Sequence, residues 1–204
     1  MVVRFFNRIP STVKHTLMNN NVILNEITIS ANDSIDANVL NHFYSEDVVQ
    51  MVLTATLAYM NGPSHDARLE LPYFADMDNE IWCLKPKALD IYITDSIEGL
   101  ALNLEARGKN YPTNILSYPS EMNASIIDLM PNIPLGELII CHDVIIREAA
   151  EQHKTLAQHI THLLVHGILH LFGFDHMLGH AEQEEMERFE IAILANLAIP
   201  NPYL

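Results

Sequence analysis

The chain has 204 residues, 49% hydrophobic and 18% charged, so it can bury one sizeable core and is expected to form a single domain spanning 1–204. Eleven basic against 26 acidic residues give a formal charge of −15 and a pI near 4.9, which repels phosphates at long range and excludes a general DNA binder. No apolar run approaches the roughly twenty residues of a membrane span, so no membrane partner is expected. Cys83 and Cys141 lie far apart without a CxxC pair, as small buried apolar residues of a reducing cytoplasm do.

Taken in chain order, Met1 to Asn25 carries Arg4, Arg8 and Lys14 but no acid. That composition is shared with organellar transit peptides, yet the apolar stretch of a secretory signal is missing, and residues 1–21 are read as a short extension. Partial alternation from Val22 to Ser30, ending at Asn32-Asp33, predicts a first strand and a turn. A helix is expected from Ser45 to Met60, closed by Asn61-Gly62-Pro63. Residues 62–86 show no clear period and read as a loop-rich insertion. Ala88 to Thr94 is a second strand, followed by a short helix with Asp95 or Ser96 as its cap and Gly108 at its end. Asn114 to Tyr118 and Leu135 to Cys141 supply two more strands. Asp143 is expected to cap a helix reaching Gln152, an apolar helix covers Leu156 to Phe172, and a last helix runs from Ala181 to Leu197. Strands early and helices clustered late describe an α+β domain, a small mixed β-sheet covered by helices.

The apolar helix ends in the stretch HGILHLFGFDH, from His166 to His176. His166 and His170 lie one helical turn apart on one face, so their imidazoles can reach one ion. His176 can join them only if the helix stops, and Gly173 is placed to stop it by accepting the left-handed conformation. Three nitrogens without a fourth protein ligand leave one position open, the arrangement of a catalytic metal site on a buried helix ending at Gly173. Chance pairs are a real alternative, because eight of the eleven histidines fall between His142 and His180. The glycine and the third histidine answer it, since each solves a separate geometric problem of the site. His159 and His162 continue the polar stripe, and neither has a partner beyond the turn; they are read as supporting or surface residues.

The same spacing occurs in metzincin peptidases, which carry glutamate directly after the first histidine as the base. Gly167 occupies that place here, so peptide hydrolysis by that route is disfavoured. A mid-helix glycine costs about 1 kcal/mol against alanine, which points to close packing or close approach of substrate.

With these residues in view, the chain resembles the YbeY family of rRNA maturation factors, whose hallmark HGxLHLxGYDH stands here as HGILHLFGFDH. Arg107-Gly108-Lys109-Asn110-Tyr111-Pro112-Thr113-Asn114-Ile115-Leu116-Ser117-Tyr118-Pro119 is similar to the family's RGKDxPTNVLSFP segment. Leu135-Gly136-Glu137-Leu138-Ile139-Ile140-Cys141 is similar to its LGDIVIC strand, and Glu182 to Glu190 to its acidic final helix. The likeness runs from residue 88 to 204. It implies a zinc-dependent, single-strand-specific endoribonuclease acting on ribosomal RNA, in 16S rRNA 3′-end maturation and ribosome quality control, with the ribosome or ribosomal proteins as partners. It further implies that His166, His170 and His176 hold the metal and that Arg107 is the functional arginine near it.

Arg107 is expected to pair with phosphate oxygens and stabilise charge growing in the transition state, and Lys109 to add a weaker substrate contact. The bland reading of Arg107 is a structural salt bridge at a helix end. The ion would either activate water or polarise the scissile phosphate while a ribose hydroxyl attacks. Lys85, Lys87 and Arg147 are further candidates for a basic cleft, whereas Glu182, Glu184, Glu185, Glu187 and Glu190 read as a solvated helix face. Two rival functions remain: a metallopeptidase or other metallohydrolase, and a ribosome-assembly factor whose metal only stabilises the fold.

Overall fold

The computed structural model describes residues 24–62 and 71–204, so the expected N-terminal extension and part of the 62–86 segment lie outside the described residues. Four strands form one sheet: β1 (Glu26–Ala31), β2 (Lys87–Thr94), β3 (Ile115–Pro119) and β4 (Ile133–Cys141). Their order is β1-β2-β4-β3, with β1 parallel to β2, β2 parallel to β4, and β3 antiparallel to β4. The mixed sheet agrees with the expected α+β architecture. Sequence pattern explains the order. β1 alternates between exposed and half-buried positions, as an edge strand does, whereas β4 ends in four consecutive buried residues, Leu138 to Cys141, covered on both faces.

Helices α1 (Ala37–Phe43), α2 (Glu46–Met60) and α3 (Asn79–Leu84) precede β2, and α4 (Ser96–Arg107) follows it. Next come α5 (Ala124–Ile127), α6 (His142–Glu151), α7 (Leu156–Leu171) and α8 (His180–Asn196). Caps set several of these boundaries. Asp95 accepts from the amides of Ile97 and Glu98, each at 2.9 Å, and Gly108 closes α4 in the left-handed region, as expected. Asp143 does not cap α6, contrary to expectation. The helix starts two residues earlier than that cap requires, at His142, and the Asp143 carboxylate instead accepts from the Ser96 amide at 2.9 Å, tying the start of α6 to the start of α4.

The 62–86 segment is not simply loop. Its described residues form a 3-10 turn, Pro72–Phe74, and helix α3, and they bury Leu71, Phe74, Met77 and Trp82. Trp82 is fully buried, with ring centroids 5.0 Å from Phe74 and 5.9 Å from Phe172, and its indole N–H donates to Asn61 Oδ1 at 3.1 Å. Elements of three and six residues are too short for a helical period to register, which is why the sequence reads as irregular. The same segment leaves Cys83 exposed rather than buried; Cys141 is buried as expected.

Helix α7 lies at the centre, touching β3, β4, α2, α6 and α8. A capping box starts it, with the Gln158 amide donating to Thr155 Oγ1 at 3.2 Å and the Thr155 amide donating to Gln158 Oε1 at 2.9 Å. Gly167 brings it down onto the sheet: a Cβ there would lie 2.7 Å from Ile115 Cδ1 and 2.8 Å from Leu138 Cδ2. The mid-helix glycine therefore serves close packing. Among the described residues, no helix is long and apolar enough to cross a membrane.

Because Trp82 wedges between the 71–84 segment and the end of α7, Trp82→Ala is expected to lower the unfolding free energy by about 3–5 kcal/mol, read as a lower urea midpoint at unchanged slope.

Candidate metal centre

Two of the three histidines project from the last turns of α7. Their Nε2 atoms approach to 3.1 Å, with the rings nearly perpendicular at 82°. The helix then ends at Leu171, and Gly173 takes φ +100°, in the region that disfavours side chains. Its amide donates to the His170 carbonyl at 3.0 Å, while the Phe174 amide reaches the Leu169 carbonyl at 3.1 Å. This turn carries His176 back, with its ring centroid 5.3 Å from His166 and 5.1 Å from His170. One nitrogen from each of His166, His170 and His176 lies within 4.8 Å of the other two, and all three residues are half-buried.

That arrangement fits a single ion. Nitrogens bound tetrahedrally to zinc at their usual bond length stand about 3.3 Å apart, so the closest pair is already at spacing and small ring rotations bring in the third. Burial, then the neighbouring His166 and His176, pull the pKa of His170 down to about 4, which keeps it in the neutral, ligating form.

Beneath the cluster lies Glu190, whose side chain is 1% exposed. His166 Nδ1 donates to its Oε1 at 2.8 Å, His162 Nε2 donates to its Oε2 at 2.8 Å, and the Tyr203 hydroxyl donates to the same Oε2. Burial acts to raise the carboxyl's pKa, but the hydrogen bonds from His162 and His166 outweigh it and hold it at about 2. An ionised Glu190 accepts a hydrogen bond from Nδ1–H of His166, which holds the proton on Nδ1 and leaves the Nε2 lone pair facing the cluster. Glu190 therefore does not belong to the solvated face of α8. The buried stripe of that helix is Met186, Phe189, Glu190, Ile193 and Leu194, and a count of three- and four-residue steps along it would have found the carboxylate. Glu182 and Glu184 are exposed as expected.

Neither of the other two α7 histidines joins the cluster. Buried His159 meets Glu148 Oε2 at 3.0 Å, and the same oxygen takes a hydrogen bond from Asn114 Nδ2 at 3.0 Å. Asp175 Oδ1 accepts from the Met177 amide at 2.9 Å, which shapes the turn after the ligand helix.

Arg107 and Lys109 flank Gly108 at the end of α4, both exposed. Among the described residues neither forms an ion pair, so the salt bridge that is the bland reading of Arg107 is not made among them. No hydrogen bond joins either of them to the histidines. The remaining basic candidates are committed elsewhere. Lys85 Nζ donates to the carbonyls of Ile127, Asp128 and Met130 at 3.1, 2.6 and 3.0 Å. Lys87 is buried over the Trp82 ring, where desolvation lowers its pKa to about 8, and it donates to the Trp82 and Lys85 carbonyls. Arg147 faces Glu151 at 3.9 Å.

A family model described as Endoribonuclease YbeY matches residues 70–198, which include the three histidines, Glu190, Arg107 and the 71–86 segment. A protein named Endoribonuclease YbeY from Psychrobacter cryohalolentis is 66% identical over 152 residues, 74% of this chain and 97% of that protein. One of the same name from Psychrobacter arcticus is 72% identical over 135 residues, 66% of each chain. A third, from Acinetobacter baumannii, is 48% identical over 115 residues, covering 56% of this chain and 73% of that protein.

His170 meets both other ligands, so His170→Ala is expected to weaken divalent-metal binding by more than about 100-fold, beyond the loss that follows removal of a ligand's hydrogen-bond partner. Competition against a chromophoric chelator measures it.

Proposed function

The chain belongs to the YbeY family of endoribonucleases, and from this premise we propose that it is a zinc-dependent, single-strand-specific endoribonuclease that matures the 3′ end of 16S ribosomal RNA and serves ribosome quality control in the cytoplasm. The observation that carries the reading is the convergence of three imidazole nitrogens, one with its tautomer fixed by Glu190, at a half-buried position. A donor set of nitrogens alone favours zinc, while nickel, cobalt or copper suit the same ligands in vitro.

His166, His170 and His176 would hold the ion, which when bound supplies Lewis acidity to the phosphate and its attacking group. The protein's own residues do the rest. Arg107, exposed and in no ion pair among the described residues, would present its planar fork to phosphate oxygens and stabilise the charge that develops on them. Lys109, two residues on, adds a point charge that salt screens. A net charge of −15 weakens long-range attraction of free RNA, so the ribosome or a ribosomal protein is the partner that delivers the substrate.

The peptidase alternative meets a physical obstacle at Gly167. A side chain there points into Ile115 and Leu138, so a carboxylate at that position would be buried in the core rather than aimed at substrate. Gly167→Glu is accordingly expected to unfold the protein, or destabilise it by at least about 3 kcal/mol, and to confer no peptide hydrolysis. A folded variant that cleaves a peptide would favour the metallopeptidase.

Incubation of the purified protein with precursor small-subunit rRNA tests the main reading. Cleavage is expected, abolished by chelator and reduced about 100- to 1,000-fold in Arg107→Ala with metal content unchanged. Full cleavage by Arg107→Ala removes the catalytic role of Arg107. Absence of cleavage by the metal-loaded wild type leaves the assembly-factor reading.

A further inference from the structure

We infer that Glu190 and Tyr203 act as a positioning pair for His166: the carboxylate fixes the ring and its tautomer, and the Tyr203 hydroxyl fixes the carboxylate, so metal affinity depends on the docking of the 197–203 segment. This rests on the metal-dependent reading of the three-histidine cluster and extends it to residues outside the ligand motif.

The segment after α8 is held by local hydrogen bonds and reaches the histidine helix through Lys154 and His162. The Ile199 amide returns to the Leu194 carbonyl at 2.9 Å, and the Tyr203 amide donates to Asn201 Oδ1 at 2.9 Å. Lys154, immediately before the cap of α7, donates from Nζ to the Pro202 carbonyl at 2.5 Å. Pro202 is buried, and the Tyr203 ring stands edge-on to His162 with centroids 5.7 Å apart. Its hydroxyl thereby reaches Glu190 Oε2, the oxygen that also receives His162 Nε2, while Oε1 is left for His166 Nδ1.

The division between the two oxygens gives the pair its function. A carboxylate with both oxygens engaged cannot rotate without breaking a hydrogen bond in a buried site, where an unmet partner is expensive. His166 is thus presented in one tautomer and one orientation before any ion arrives. Such pre-organisation appears in metal affinity, because an untethered ring would pay that ordering on binding. A purely structural carboxylate would affect the stability of the metal-free fold and leave the affinity of the folded protein alone.

The test titrates zinc into metal-free wild type, Glu190→Gln and Tyr203→Phe against a chromophoric chelator, with visible spectra of the cobalt(II) forms and thermal melts of the metal-free proteins. Glutamine keeps the size and one acceptor but loses the charge; phenylalanine keeps the ring and removes only the hydroxyl. Zinc affinity is expected to fall about 10- to 100-fold in Glu190→Gln and about three- to tenfold in Tyr203→Phe, with altered cobalt bands in the former. Affinities within twofold of wild type overturn the inference, even where the melting temperature drops. If Glu190→Gln does not fold, Tyr203→Phe decides alone. A wild type that binds zinc tightly but leaves RNA intact defeats the nuclease reading without touching this one, and a wild type that binds no zinc defeats both.

Discussion

The contact between α7 and the sheet at Gly167 governs the depth of the ligand helix, and with it everything placed on that helix. Ile115 from β3 and Leu138 from β4 occupy the space a side chain would take, so the helix axis lies against the strands. At that depth the same helix brings His162 and His166 within hydrogen-bonding reach of Glu190 on α8. Glu190 can be buried there because each of its oxygens has donors waiting. A helix held further from the sheet would leave the carboxylate either exposed or unpartnered.

Charge is distributed in a way the sum conceals. Glu182 and Glu184 of α8 face solvent, whereas Glu190 is buried and ionised, its charge met by three hydrogen-bond donors. The cations are unequal too. Lys85 and Lys87 satisfy backbone carbonyls at the ends of short elements, and Arg147 is spent on a partly screened surface pair worth little. Arg107 and Lys109 are exposed and in no ion pair among the described residues.

Much of this was legible in the sequence where one residue performs one geometric task. The Asp95 cap, the Gly108 helix end, the Gly173 turn and the three histidines could each be read from spacing, and strands β2 and β4 from their apolar runs. The readings that failed involve competition between partners. Asp143 was a plausible cap, but the Ser96 amide claims its carboxylate. Trp82 and Phe74 sit on elements too short to show a period, although they bury as deeply as any long helix. Glu190 is one of several acids in an acidic helix, and only its helical phase with Met186, Phe189, Ile193 and Leu194 sets it apart. Tyr203 and its segment carried no motif in this reading, since its role arises only when the chain folds back.

The three histidines occupy one helix end and the turn after it, whereas Arg107 comes from a different helix. On the roles proposed for these residues, capture of an ion and handling of a phosphate are separable properties, free to be lost or tuned one at a time. A protein with a full complement of metal can still be chemically inert, which makes elemental analysis a poor proxy for competence.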